Sequence, residues 1–367
     1  MAKIVIDARI ISSSTGRYIE RLLTYLEKID SQNEYIVLVP EKDIDYWKPK
    51  AKNFTLQTSK YKNFSFNEQL GFAIQLYKLK ADLVHFCMPQ QPILYFKPSI
   101  TTMHDLILLQ VYNSDKNWLV FHLKQLVGRF VFFYLAHKSR FIITPSNFSK
   151  KEYLNRYKIK KNKVVTTYLA ADTDTYTAEK IQLPYKKFIM YVGQQSDYKN
   201  IKRLIKAHQK LLQTFPDLGL VFVGNLNAMA KRNKEWVEKN NYKNILFAGF
   251  VEDKNLAWMY QHTEAYVFPS LMEGFGLPGL EAMVQGAPVV SSDATCLPEI
   301  YGDAAHYFNP KDMDDIANKI ADVLNDESLR TTLIKNGYTQ IKKYSWAKTA
   351  KQTHEIYLEA LRINKKS

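Results

Sequence analysis

Cysteine is nearly absent: 367 residues contain two, Cys87 and Cys296, far apart and in no metal-like spacing. That argues against a disulfide scaffold and a structural zinc site, and for a reducing compartment. No stretch reaches the roughly 20 apolar residues that span a bilayer. The nearest candidate, Trp118 to Ala136, is interrupted by His122, Lys124 and Arg129. Met1 to Ile11 shows no signal-peptide pattern, because Asp7 and Arg9 break its short apolar run. The expectation is a cytoplasmic chain, soluble or peripheral on a membrane. Short repeats and low-complexity tracts are missing too. Acidic residues run short, leaving a net charge of +15. Such a surplus favours anionic partners, namely nucleotides, nucleic acid or a membrane face, without choosing among them.

What is present is an ordinary globular balance, 46% apolar, 13% aromatic and 24% charged. The length suits two domains, each able to bury a core. Short apolar runs alternate with helical ones almost throughout. Strands are expected at 3–9, 35–39, 54–58, 83–88, 100–104 and 141–145, with helices at 17–29, 66–78 and 115–137. The grammar repeats with strands at 188–193, 218–223, 245–250, 265–269 and 288–291. Helices are expected between these strands, starting with one from Asn200 to Gln213, and the tail is helical. Apolar strands separated by helices predict an α/β fold of parallel sheets covered on both faces. The hinge is expected between Ala171 and Tyr185. It gives an amino-terminal domain of residues 1–177 and a carboxyl-terminal domain of 178–345. The first 180 residues hold 27 Lys and Arg against 16 Asp and Glu, the remainder 24 against 20, so most of the excess charge sits in the first half.

The most informative segment runs Pro269-Ser-Leu-Met-Glu273-Gly-Phe-Gly276-Leu-Pro-Gly-Leu-Glu281. A strand ends at Pro269, and a glycine-bearing loop enters a helix with Pro278 near its start. Main-chain N–H groups at such a helix start attract phosphate. Glu273 before the helix and Glu281 in about its first turn suit the hydroxyls of a sugar nucleotide. Taken singly, either glutamate reads as a loop or helix charge.

This segment resembles the E-x7-E motif of the family 4 retaining glycosyltransferases, which have the GT-B fold of two Rossmann-like domains facing across a cleft. Met103-His-Asp-Leu106 is similar to that family's His-Asp strand end, and Ser13-Ser-Thr-Gly16-Arg-Tyr18 to its glycine-rich first loop. Tyr191-Val-Gly193 with Lys199-Asn200 resembles the donor-phosphate loop, and Phe268-Pro-Ser270, Pro288-Val-Val290 and Leu297-Pro-Glu-Ile300 follow in the family's order. The likeness is strongest from 188 to 309.

The resemblance implies that Glu281 binds the nucleotide ribose, while Glu273 and the amides near Phe275 and Gly276 contact the transferred sugar, with Leu277 a further donor-binding residue. Lys199 would neutralise the diphosphate of the leaving group. Gly193 and Gly16 would let the backbone pass close to it, and His104 would lie beneath the donor sugar or near the acceptor. Glu273, His104 and Lys199 are the expected catalytic residues. No cation stands between Gly193 and Lys199, where the family usually carries an Arg, so either Arg203 one helical turn on works with Lys199 as the second cation or the leaving group is stabilised less strongly. The tail helix, 346–367, would pack back on the first domain.

Asp43-Ile-Asp45, Asp172-Thr-Asp174 and Asp312-Met-Asp314 each have a spacing that can hold a divalent metal with a diphosphate. Solvated or capping aspartate is the better reading, and no obligatory metal or other cofactor is expected. Arg17 either pairs with Glu20 or joins Arg21 in a basic ridge or a plain solvated surface. Trp118–Arg140, with Phe121, Leu126, Phe130, Phe132, Phe133 and Tyr134 among Lys124, Arg129, Lys138 and Arg140, admits two readings. It is a core helix with one polar side, or an aromatic, basic face resting on anionic lipid.

The expectation is therefore a retaining hexosyltransferase. Its look is that of bacterial mannosyltransferases using GDP-mannose, although users of UDP-sugars share the same glutamates. The acceptor would be a glycan or lipid-linked glycan in cell-envelope polysaccharide assembly. Competing readings are an epimerase or phosphorylase on the same architecture, an inactive sugar-binding homologue, and a basic nucleic-acid-binding protein. No nucleic-acid recognition motif supports the last.

Overall fold

The computed structural model describes residues 1–13, 15–63, 65–110, 118–173 and 177–366. Ser14 of the first loop, Asp115 at the expected helix start and Asp174 of the second D-x-D lie outside the described residues, as do the side chains of Phe121 and Lys124. The chain divides into two compact units. One comprises Met1–Leu109, His122–Leu169 and Ser345–Ser367, and the other is built on Ala170–Tyr344.

In the amino-terminal unit the order is β1 (Lys3–Asp7), α1 (Gly16–Ile29), β2 (Glu34–Val39), β3 (Phe54–Thr58), α2 (Ala73–Leu79), β4 (Leu83–Phe86) and β5 (Ser99–Thr102). There follow α3 (Ile107–Gln110), α4 (Trp118–Lys138), β6 (Phe141–Thr144), α5 (Asn147–Tyr157) and β7 (Val164–Thr166). The strands form one parallel sheet ordered β3-β2-β1-β4-β5-β6-β7. β4 is buried along its whole length, as expected for a strand covered on both faces. α1 turns Tyr18, Ile19, Leu22, Leu23 and Leu26 inward, on one helical face. Truncating Leu22, which is fully buried, to Ala costs about 2–5 kcal/mol.

The helix expected over 66–78 is a π turn, Glu68–Phe72, running into α2. Gly71 there lies against Tyr61, whose ring a Cβ would approach to 2.2 Å. β7 and α5 were not among the expected elements. β7 has three residues, too few for a period, and α5 (NFSKKEYLNRY) buries only Ser149, Tyr153 and Tyr157.

The carboxyl-terminal unit runs β8 (Lys187–Val192), α6 (Ile201–Leu211), β9 (Leu218–Val223), α7 (Ala228–Lys239), β10 (Ile245–Gly249) and α8 (Asp253–His262). It continues with β11 (Ala265–Phe268), α9 (Leu277–Val284), β12 (Val289–Ser292), α10 (Leu297–Tyr301), β13 (Ala305–Phe308), α11 (Met313–Asn325) and α12 (Glu327–Gln340). Its parallel sheet is ordered β10-β9-β8-β11-β12-β13. The short edge strand β13 (AHYF) carries no clear alternation and was not expected. The last helix, α13 (Trp346–Lys366), belongs to the amino-terminal unit and packs on α1.

Candidate functional site

In an open parallel sheet, ligands bind beyond the strand C-termini where the strand order reverses. In the carboxyl-terminal sheet that point lies between β8 and β11. The two loops leaving these strands carry Lys199 and Glu273. Lys199 Nζ donates to Glu273 Oε1 at 2.5 Å, and the side chains keep 14% and 11% exposure. Burial alone would lower the Lys199 pKa, but the charge and hydrogen bond of Glu273, with Tyr191 and Tyr198, raise it above the usual lysine range. Its ammonium also stands 5.1 Å from the Tyr198 ring centroid and 5.2 Å from that of Phe268. The pair is therefore a lysine held in its charged form against a carboxylate, both nearly buried and both still reached by water.

Each loop is locked by residues that sequence reasoning did not single out as functional. Asn200 adopts φ 60, a left-handed conformation that Asn tolerates better than most residues. The helix expected from Asn200 consequently starts one residue later. The Asn200 amide donates to the Pro269 carbonyl at 3.0 Å and the Pro310 carbonyl at 2.7 Å, tying together the loops after β8, β11 and β13. Leu271 N–H donates to the Tyr198 carbonyl at 2.8 Å, a second tie between the first two loops. Arg203, expected as the second phosphate cation, uses Nη1 on Asn200 Oδ1 at 2.7 Å and on the Pro310 carbonyl at 3.0 Å. In the loop lacking a cation, Gln195 is buried; it accepts from Asn233 at its side chain and from Asn227 at its carbonyl.

Glu273 is held through its main chain as well. Its N–H donates to Thr295 Oγ1 at 3.1 Å, and its carbonyl accepts from the Cys296 thiol at 3.3 Å. Thr295 has φ +60, a strained state for a β-branched residue that persists only where the surroundings enforce it. Two residues further into the loop, Phe275 is buried and packs edge-on against Tyr344.

Gly276 has φ +94 and forms the start of α9 before Leu277 and Pro278. A Cβ on it would come within 2.6 Å of both Leu297 and Tyr301. The Tyr301 hydroxyl donates to the Gly276 carbonyl at 2.5 Å, and its ring fills the space beside Gly279. The turn before α9 thus rests on a fully buried tyrosine. Glu281 is the fifth residue of α9, about one turn in, and is half-buried. Its charge contributes, after burial and neighbouring tyrosines, to raising the Tyr266 phenol. Gly193, at φ +137, follows β8 directly, and its carbonyl would lie 2.6 Å from any Cβ on Gly224 of the adjacent loop.

The amino-terminal unit contains the other two expected site residues. His104 follows β5; its Nε2–H donates to the Cys87 carbonyl at 3.0 Å, and Tyr18 meets its ring edge-on at 5.0 Å. Burial lowers its pKa to about 4, so at neutral pH Nδ1 is an acceptor. Behind it a buried chain of hydroxyls and imidazole runs from Tyr18 to Thr102, His85 and Tyr357 of α13. Gly16 is required by its own backbone, since a Cβ would meet the Ile11 carbonyl oxygen at 1.8 Å. Sequence reasoning attached no role to Arg9. It stands at the β1/β4 reversal, bound to Asp7 by two bonds of 2.8 Å and to Glu68 by another of 2.8 Å. It lies over the Phe72 ring at 3.7 Å.

Asp312 caps α11, its carboxylate accepting from Asp314 and Asp315 N–H. Asp43 accepts from Ser12, Asp45 pairs with Lys48, and Glu20 pairs with Arg21. Among the described residues no three His, Cys, Asp or Glu side chains are grouped to hold a metal ion.

Residues 174–340 match the family model described as glycosyl transferases group 1, and residues 15–175 that described as Glycosyltransferase Family 4. The O-antigen chain mannosyltransferase B of Escherichia coli is 34% identical over 230 residues, 60% of this chain and 60% of that protein. The serotype-specific mannosyltransferase WbdA of the same organism is 29% identical over 289 residues, 73% of this chain but 34% of that protein. The similarity thus spans less than two thirds of the first relative's length and about one third of the second's. Among solved structures, a sucrose-phosphate synthase from Thermosynechococcus elongatus superposes with a TM-score of 0.78 at 18% identity, over 99% of this chain and 100% of that one. Anabaena Alr3699/HepE in complex with UDP and glucose does so at 0.72 and 16%, over 97% and 99%.

Proposed function

We propose, for a chain that belongs to the family 4 glycosyltransferases and has their GT-B fold, that it transfers mannose from GDP-mannose to a glycan or lipid-linked acceptor. The setting is polysaccharide assembly at the cell envelope, the role that the names of the mannosyltransferase relatives suggest. The Lys199–Glu273 pair at the β8/β11 reversal, beside the start of α9, carries this reading.

In this mechanism the donor diphosphate lies against Lys199 and the main-chain N–H groups around Phe275, Gly276 and Leu277, where the helix start favours negative charge. Lys199 enters the reaction fully charged and shares its protons between Glu273 and the phosphate. As the bond from the sugar anomeric carbon to phosphate oxygen breaks, negative charge grows on that oxygen and the lysine stabilises it. The acceptor hydroxyl oxygen bonds to the same carbon from the same face, and its proton passes to the departing phosphate. The anomeric configuration is retained without a covalent intermediate. Glu273 orients the sugar hydroxyls, and Glu281 takes the ribose. Arg203 acts through the Asn200 turn that presents Lys199, and Gly193 admits the diphosphate to the backbone. In the amino-terminal unit, neutral His104 and the Gly16 loop are the residues that the family resemblance assigns to the sugar or the acceptor. No metal or other cofactor has a part in this scheme. A peripheral location on the inner face of a cell membrane completes the reading; among the described residues no helix is long and apolar enough to cross a bilayer.

The test is a panel of nucleotide sugars in thermal-shift and transfer assays. GDP-mannose should stabilise and be consumed, while Glu273→Ala and Lys199→Ala abolish transfer. Preference for a UDP-sugar would replace the donor, and unchanged turnover in either variant would remove that residue from the site.

A further inference from the structure

Ten of the exposed large apolar side chains of the amino-terminal unit fall in two rows. Phe66, Leu70, Ile74 and Tyr77 recur every three or four residues along the π turn and α2, and Leu94 and Phe96 flank the buried Tyr95 beside them. Tyr77 joins the two segments: its hydroxyl donates to the Leu94 carbonyl at 3.1 Å and accepts from Phe96 N–H at 2.9 Å. The second row is Leu126, Val127, Phe130 and Phe133 on α4. Apart from Tyr77 and Leu94, the members of both rows are 53% to 94% exposed.

The rows adjoin. The Lys138 ammonium at the end of α4 stands 5.6 Å from the Tyr95 ring centroid and 5.7 Å from that of Tyr134. It makes no hydrogen bond among the described residues. Single exposed apolar residues need no explanation, whereas an adjoining set marks an interaction surface.

The segments that carry these rows are predominantly basic. Residues 118–163 contain eleven Lys and Arg and one acid, Glu152. Lys62, Lys78, Lys80 and Lys97 are exposed around the first row. The one acid between 60 and 80, Glu68, is buried against Arg9 and Gln90. Aromatic and aliphatic rows with a basic margin match an acyl-chain boundary beneath anionic headgroups.

The geometry points to a composite docking face, the α2 row and the α4 row together, that lies on an anionic lipid bilayer. The inference rests on the peripheral reading above and extends it to a surface of which sequence analysis considered only the α4 half. The face places the acceptor-handling unit at the membrane where a lipid-linked acceptor resides.

Cosedimentation with vesicles of phosphatidylethanolamine and phosphatidylglycerol, against pure phosphatidylcholine, tests it. The wild-type chain should partition onto the anionic vesicles, less so as salt is raised, and only weakly onto the neutral ones. Phe66→Ser/Leu70→Ser/Phe96→Ser and Leu126→Ser/Phe130→Ser/Phe133→Ser should each reduce partitioning about tenfold or more. Both should keep the donor-induced thermal shift, which reports an intact fold and donor site. The docking face is overturned if the wild type ignores anionic vesicles, if either triple variant partitions like the wild type, or if the wild type is a dimer that these variants dissociate. Vesicle binding that survives loss of donor binding would overturn the proposed function and leave the docking face standing.

Discussion

Both sheets place an ion cluster where their strand order reverses, and the two clusters are built in opposite ways. At the β1/β4 reversal Arg9 and Asp7 side chains are each 2% exposed and Glu68 is fully buried. Arg9 spends its guanidinium on Asp7, Glu68 and the Tyr61 carbonyl, and Gln90 takes the second Glu68 oxygen at 2.8 Å. At the β8/β11 reversal Lys199 and Glu273 share one bond and keep some exposure. The first cluster is saturated and holds the π turn against β1. Among the described residues the second leaves protons and lone pairs to offer a ligand. Topology alone marks both places; saturation separates a scaffold from a site.

Exchanging the central cation sharpens this contrast most. Arg9→Met leaves two buried carboxylates without their partner and should cost about 3–5 kcal/mol in a denaturant titration. Lys199→Met should instead lower kcat by about a hundred- to a thousandfold with a smaller loss of stability. The reverse pattern would exchange the roles of the two clusters.

Acid separates the units next. Burial lowers His104 to about 4 and His85 to about 3, the latter helped by His104, while His208 in the other unit falls to about 4. Between the ordinary value of 6.5 and these values the unfolded chain binds more protons than the folded one. Stability should therefore fall as pH drops below about 6.5 and level off near 3 to 4. With two of the three in the amino-terminal unit, limited proteolysis at about pH 5 should cut that unit first. Equal cutting of both would show that these imidazoles do not set the acid limit.

Within the carboxyl-terminal unit, Thr295→Val removes the acceptor of Glu273 N–H while keeping the branched shape. It should cost about 1–3 kcal/mol and depress kcat more than it raises KM. Thr295→Ser should restore activity, and a Val variant with wild-type kcat would deny Thr295 any positioning role. Tyr301→Phe should have the smallest effect, about 1 kcal/mol in a thermal melt, by freeing the Gly276 carbonyl.

How far all this was legible depended on distance along the chain. The alternation of short apolar runs and amphipathic helices showed the parallel sheets, because each element carries its own period. Glu273, Gly276 and Glu281 stood out because they share one strand-loop-helix segment. The residues that hold that segment in place come from elsewhere: Asn200 from the loop after β8, Thr295 from the one after β12, and Tyr301 from the end of α10. Each looks ordinary locally and gains its role only through packing. Arg9 and Glu68 were invisible as a pair for the same reason, and the π turn that brings them together has no signature in apolar spacing. The α2 row escaped notice because its partners, Leu94 and Phe96, lie beyond β4.

The most direct measurement is a crystal structure of the chain with a non-hydrolysable GDP-mannose analogue. The account predicts the diphosphate bonded to Lys199 and to main-chain nitrogen at the start of α9, with the ribose on Glu281 and the sugar on Glu273. A nucleotide bound away from these loops, with Lys199 still closed on Glu273, would contradict it.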